Sequence, residues 1–202
     1  MSLYHGTSAG SALKILQSQT VLPSKDGFFY CFDSARPESL AGAVCYATGD
    51  GLRNGSLEGK DFLSRYAKLN PDFPSGVKGA FVKAALKRTA ASWAKNQLKA
   101  ATSPLDNYAA ILVFSSHPEG IDRTRGGFVN EVQVPAKALG SLVLERVYLD
   151  DALLKLPEVE RLKQQGIIIE PLSQCVGQVM REEARLQGKP KAGKAVFSPM
   201  SS

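Results

Sequence analysis

Apolar and polar positions along the chain switch repeatedly between a period of two and a period near 3.6, and these switches predict an interleaving of short strands and amphipathic helices. "LYHGTS" reads as a strand. After a turn comes "AGSALKILQSQTVLP", where Ala12, Leu13, Ile15 and Leu16 fall on one helical face and Pro23 must lie beyond the helix end. "GFFYCF", opened by Gly27, predicts a buried strand. "SARPESLAGAVCYATG" predicts a helix that starts near Ser34 and Pro37 and stops at Gly49. The Gly-rich residues 49–59 read as a loop, and "DFLSRYAKL" as a brief helix ahead of Pro71 and Pro74.

Residues 77–101, rich in Ala, Leu and Lys, predict a long helix with Phe81, Ala85 or Leu86, Ala90, Trp93 and Leu98 tracing its apolar face. Three strands follow in "YAAILVFSS", "FVNEVQVP" and "SLVLERVYL", the first two separated by the polar loop "HPEGIDRTRGG". A helix around "DDALLKLPEVERLKQQG", the stretch "IIIEPL" and a last helix in "QCVGQVMREEARLQ" complete the pattern. No internal repeat interrupts it. The expectation is an α+β fold with several antiparallel strands, one domain over residues 1–185 and a basic mobile tail over 186–202, where Lys, Gly, Pro and Ser mix.

Composition narrows the class without changing this outline. With 202 residues, 44% hydrophobic and 22% charged, the chain suits a single well-buried globular domain, and no apolar run approaches the roughly 18 residues of a membrane span. The first residues lack a secretory signal pattern, so a cytoplasmic protein is expected, or one delivered to a target-cell cytosol by a signal-independent route. Cys31, Cys45 and Cys175 are widely separated and support neither a disulfide framework nor a metal site. Net charge is +6, which favours acidic partners. Six of the basic residues, Lys78, Lys83, Lys87, Arg88, Lys95 and Lys99, lie between Pro74 and Pro104 with no acidic residue among them. They form either a solvated outer face or a patch that docks an anionic macromolecule.

Four features carry candidate chemistry. His5, Gly6 and Thr7 sit on the first strand, an aromatic run follows Gly27, Tyr46 ends a helix, and Glu131 interrupts an apolar strand. A carboxylate in such a strand either turns to solvent or enters a cleft where chemistry needs negative charge. In order and local context these segments resemble the ADP-ribosyltransferases of the diphtheria toxin and poly(ADP-ribose) polymerase type, whose signature is a His, one or two Tyr and a Glu. "YHGTS" is similar to that family's His-Gly-Ser/Thr strand, "GFFYCFDSARPESLAGAVCYA" to its Gly-aromatic strand and Tyr-ended helix, and "FVNEVQVPAKALGSLVLERVYL" to its Asn-Glu strand and the strand after it.

The resemblance implies a fold of antiparallel strands in two packed sheets surrounding an NAD cleft, with the basic helix as an insertion. It implies NAD+ as co-substrate: Gly6 offering its backbone to the nicotinamide carboxamide, His5 and Thr7 bonding the adenosine ribose, and Tyr46 with Tyr30 or Phe29 sandwiching the nicotinamide ring. Glu131 would hold the nicotinamide ribose and oppose its cationic transition state. Three positions depart from the family pattern: Phe29 stands where its first Tyr usually lies, Ala43 where a Ser often lies, and Val129 where some relatives carry Gln or Glu. The implied activity is mono-ADP-ribosylation of a macromolecule by a toxin or effector. The acceptor would be a protein, or a nucleic acid held through basic residues 78–99. Two other readings are an RNA 2′-phosphotransferase-like enzyme, whose Arg before the His is here Tyr4, and an inactive nucleic-acid-binding module of the same fold.

Overall fold

The computed structural model describes residues 2–49, 51–53, 61–115 and 131–188. Its strands are β1 (Ser2–Ser8), β2 (Phe28–Asp33), β3 (Ala109–Ser115), β4 (Glu131–Pro135), β5 (Val143–Leu149) and β6 (Ile169–Pro171). They form one sheet in the order β4-β2-β1-β3-β5-β6, antiparallel except for the β5–β6 pair. The polar loop 117–127, residues 128–130 with Val129, most of 49–59 and the tail beyond residue 188 lie outside the described residues.

The mixed α and β character agrees with the sequence, but in place of the expected two packed sheets the described residues form a single sheet covered on both faces by helices. The reason lies in β3. Its apolar run buries Ala109, Ile111 and Val113 on one face and Ala110, Leu112 and Phe114 on the other, so both faces need an apolar cover. Helices α2 (Ser39–Thr48), α3 (Phe62–Leu69), α4 (Gly76–Lys99) and α6 (Leu172–Gln187) cover the first face, and α1 (Ala9–Ser18) and α5 (Pro157–Gln164) the second. Helix α6 runs past residue 186, where the tail was expected to begin, and Leu186 still packs against the core.

The sheet divides along one seam. β1 pairs with β3 over its whole length, from Ser2–Ser115 to Ser8–Ala109, whereas its pairing with β2 covers only Leu3–Asp33 and Tyr4–Phe32. Beyond Tyr4 the two strands diverge, and β2 leaves with β4, to which it pairs from Phe28–Pro135 to Phe32–Glu131. This fork makes room for a cleft inside a single sheet.

Helix α2 fixes the fork's floor. A β-carbon added to Gly6 would stand 2.1 Å from the Ala43 carbonyl oxygen and 2.9 Å from the Ala47 nitrogen, so the α2 backbone rests directly on β1. Gly42, adjacent to Ala43, leaves space for the Phe32 ring. At its end Gly49 adopts φ 58°, and a β-carbon there would lie 2.1 Å from Ala94 Cβ of α4. The α4 face that packs is accordingly made of small residues, Gly79, Ala90 and Ala94 with Leu86. The expected face is corrected on this point: Leu86 and Ala90 are buried, but Phe81 is 76% exposed and Ala85 is also exposed, because close approach to α2 and α3 selects the stripe with the least bulk.

Gly6→Ala should therefore destabilise the fold by about 2 kcal/mol or more, since the clashing atoms are helix backbone and cannot swing aside. Urea unfolding of the variant measures this, and an unchanged midpoint would contradict the close packing of α2 on β1.

Candidate functional site

The fork opens into a cleft of about 170 Å³ lined by His5, Gly6, Tyr30, Phe32, Tyr46, Thr89, Trp93 and Glu131. A second cavity of about 330 Å³ adjoins it, sharing His5, Tyr30 and Trp93 and adding Thr7, Phe29, Ser11, Lys14 and Gln97 among others. All seven residues singled out in the sequence thus line one of two neighbouring spaces. They arrive from four elements. β1 brings His5, Gly6 and Thr7, β2 brings Phe29 and Tyr30, the last turn of α2 brings Tyr46, and Glu131 is the first residue of β4.

Backbone register explains what each position offers. The Ser34 N–H donates to the Ser2 carbonyl at 3.0 Å, so the even-numbered residues of β1 turn their peptide groups toward β2. Gly6 follows that alternation, and its N–H and C=O face the fork where strand pairing has ended. Glu131 stands opposite Phe32 in the β2–β4 ladder, which puts the two side chains on one face of the sheet. Tyr30, two residues before Phe32, shares that face.

Phe29 points the other way. Its ring stacks against His5 with centroids 4.1 Å apart and meets Phe114 edge-on at 5.8 Å, within the core under α1. Of the two rings left open by the sequence, Tyr30 therefore lines the inner cleft and Phe29 braces His5 from behind. The imidazole is held on a second side as well: its Nδ1 lies 2.7 Å from the Tyr30 carbonyl, which only accepts, so Nδ1 carries the proton and Nε2 is left as an acceptor. Burial lowers the His5 pKa to about 4, so the ring is neutral at physiological pH. His5 is thus a bracket across the fork.

Glu131 is the one carboxylate among the described residues lining the inner cleft, and no Lys or Arg is among them. Burial among apolar walls raises its pKa to about 7. Burial first, and then the neighbouring Glu131 charge, also push the Tyr46 phenol up, so it remains protonated. The Tyr30 hydroxyl donates to Asp26, which raises its pKa to about 12 and turns its polar end toward solvent. Tyr46 is steadied edge-on by Phe32 at 5.7 Å. The cleft therefore combines flat rings, one titrating carboxylate and a strand edge beyond the end of β1–β2 pairing.

Several contributors escaped the sequence reading. Thr89 and Trp93, one turn apart on α4, form the cleft's outer lip. Their placement depends on Arg53, buried in the Gly-rich segment after α2. Its guanidinium donates to the Ala47 carbonyl at 2.6 Å, the Tyr46 carbonyl at 3.4 Å and the Asp106 carbonyl at 3.2 Å, and also to Gln97 Oε1. Gln97 in turn donates to Thr7 Oγ1 at 3.4 Å. Arg53 thereby caps the C-terminal carbonyls of α2 and ties α4 to β1. A single Arg in a Gly-rich stretch gives no sequence signal for this. Among the described residues no cluster of His, Cys, Asp and Glu is placed to hold a metal ion.

Comparison with protein-family models, curated proteins and solved structures found no match to this chain.

The raised Glu131 pKa has a stability consequence of fixed sign. In the folded state the carboxyl keeps its proton up to about pH 7, whereas the unfolded chain loses it near 4.5, so stability declines as pH rises through that window. Glu131→Gln should leave unfolding unchanged near pH 4 and increase stability by about 1 to 3 kcal/mol at pH 8. Denaturation at the two pH values measures the difference, and equal effects at both would show that the carboxylate is not strained by its surroundings.

Proposed function

We propose that the chain is an NAD+-dependent mono-ADP-ribosyltransferase, which cleaves the bond between nicotinamide and ribose and passes ADP-ribose to a macromolecular acceptor. The observation that carries this reading is the convergence of His5, Gly6, Tyr30, Tyr46 and Glu131 on one cleft from β1, β2, α2 and β4. A dinucleotide has a flat, carboxamide-bearing end and a sugar-phosphate end, and the two adjoining cavities differ in the same sense. The inner one is walled by aromatic rings. The outer one carries the hydroxyls of Thr7, Ser11, Ser18, Thr20 and Ser24 with the ammonium of Lys14. Joined, they reach the roughly 300–1,000 Å³ typical of ligand sites.

In this reading Gly6 holds the carboxamide through the peptide edge turned to the fork, in the manner of one more strand pair. Tyr30 and Tyr46 cover the ring, which favours binding of a planar group without hydroxyl chemistry. His5 and Thr7 bond ribose hydroxyls at the junction of the two cavities. Glu131 faces the ribose carbon that becomes cationic as nicotinamide leaves, and its charge is worth more there than in the ground state because the described lining is largely apolar and offers no competing cation. The same lining disfavours the 2′-phosphotransferase alternative. A site that takes a phosphate needs cationic side chains, and the inner cleft offers a carboxylate instead.

Because Glu131 acts as the charged form, nicotinamide release should rise with pH. For the free protein, kcat/KM should increase about tenfold per unit below pH 7 and level off above it. Release of nicotinamide from NAD+ between pH 5.5 and 8.5 provides the profile. Emission from Trp93, the chain's single tryptophan, reports binding independently. Binding without any nicotinamide release across this range would contradict the assignment.

A further inference from the structure

Helix α4 presents two lines of side chains that run side by side. Thr89 and Trp93 form the lip of the cleft. Phe81, Arg88, Lys95 and Lys99, separated by seven, seven and four residues, fall on a second line roughly a third of a turn around the helix. All four of these are exposed, and at 1.5 Å per residue the cations are spaced about 10 and 6 Å along the axis. Between the lines, alongside the lip, sit the short side chains of Ala85, Ser92 and Asn96.

The remaining cations of the helix differ in kind. Lys83 bonds Ser64 and meets Asp61 at 3.4 Å, and Lys78 and Lys87 make interactions of their own. Arg88, Lys95 and Lys99 form no ion pair among the described residues. The stripe thus presents three cations and a bare phenyl ring beside the cleft, on a helix with no acidic residue.

We propose that this outer stripe of α4 docks the acceptor and that the acceptor is a single-stranded nucleic acid, its phosphates on Arg88, Lys95 and Lys99 and a base stacked on Phe81, so that the strand passes the Trp93 lip of the cleft. An anionic partner follows from charge complementarity. A nucleic acid rather than an acidic protein follows from Phe81: an exposed aromatic ring in line with cations is the pairing that reads an unstacked base and a phosphate backbone together. A duplex keeps its bases stacked and leaves the ring unused. The proposal rests on the transferase reading for its consequence, but docking itself is measured without NAD+.

The full chain is titrated with a fluorescein-labelled single-stranded 20-mer over a range of salt concentrations. Wild-type affinity should fall linearly with salt on a log–log scale. The R88A/K95A/K99A variant should lower that slope by about two, while an R88K/K95R/K99R variant keeps it. Phe81→Ala should weaken binding roughly 5- to 100-fold with the slope unchanged. Nicotinamide release by all three variants should equal wild type, since none of these residues lines the cleft. A triple variant with wild-type affinity and slope would overturn the proposal, as would poly-glutamate or duplex DNA that competes as well as the single strand. If wild type binds the 20-mer as described but releases no nicotinamide, the docking surface stands and the transferase reading falls.

Discussion

The arrangement rests on the contact between a bare glycine and a helix backbone. Gly6 has no side chain, so the Ala43 and Ala47 turns of α2 settle directly on the central strand of the sheet. From that contact the rest of the cleft is positioned. Tyr46 projects from the same stretch of α2 over the fork, the carbonyls at the end of α2 reach Arg53, and Arg53 passes the position on to Gln97 and so to the α4 lip. Ala43 takes part in the same packing. Its side chain is fully buried in the core and its carbonyl oxygen is the atom that a side chain at position 6 would strike.

The second constraint is the fork. A β-sheet strand whose neighbour departs exposes backbone that would otherwise be paired, which costs stability unless something else meets it. The His5 ring answers part of that need by bonding the Tyr30 carbonyl, and Phe29 holds the ring in place. The peptide edge of Gly6 and the desolvated Glu131 carboxyl are the parts not relieved in this way. Both features cost folding energy and both face the same space. Such strain gathered at one cleft is the physical pattern of a binding or catalytic site.

Much of this was legible in the sequence, for identifiable reasons. The strands and most helices announced themselves through period and punctuation: Pro23 after α1, Gly27 before β2, Gly49 after α2. The candidate residues were found because they are chemically out of place in their elements, a Glu in an apolar strand above all. Side-chain direction on β2 was less accessible, since Phe29 and Tyr30 are adjacent aromatics and only pairing with β4 decides which faces the cleft. The packing face of α4 is less legible, because bulk marks Phe81 as core, whereas close approach to α2 and α3 buries Leu86, Ala90 and Ala94, Gly79 lies against the Pro74 backbone, and Phe81 stays outside. The single forked sheet could not be read at all, because it depends on where pairing between β1 and β2 stops, and neither strand carries a local mark at that point.

In the proposed transferase the negative charge of Glu131 serves a transition state more than it serves binding. The most direct test of that role is Glu131→Gln assayed above pH 7, where the wild-type carboxyl is ionised, with NAD+ affinity from Trp93 emission and turnover from nicotinamide release measured on the same protein. Turnover should be lower by about two orders of magnitude or more, with affinity nearly unchanged. Equal turnover in the variant and wild type would contradict it.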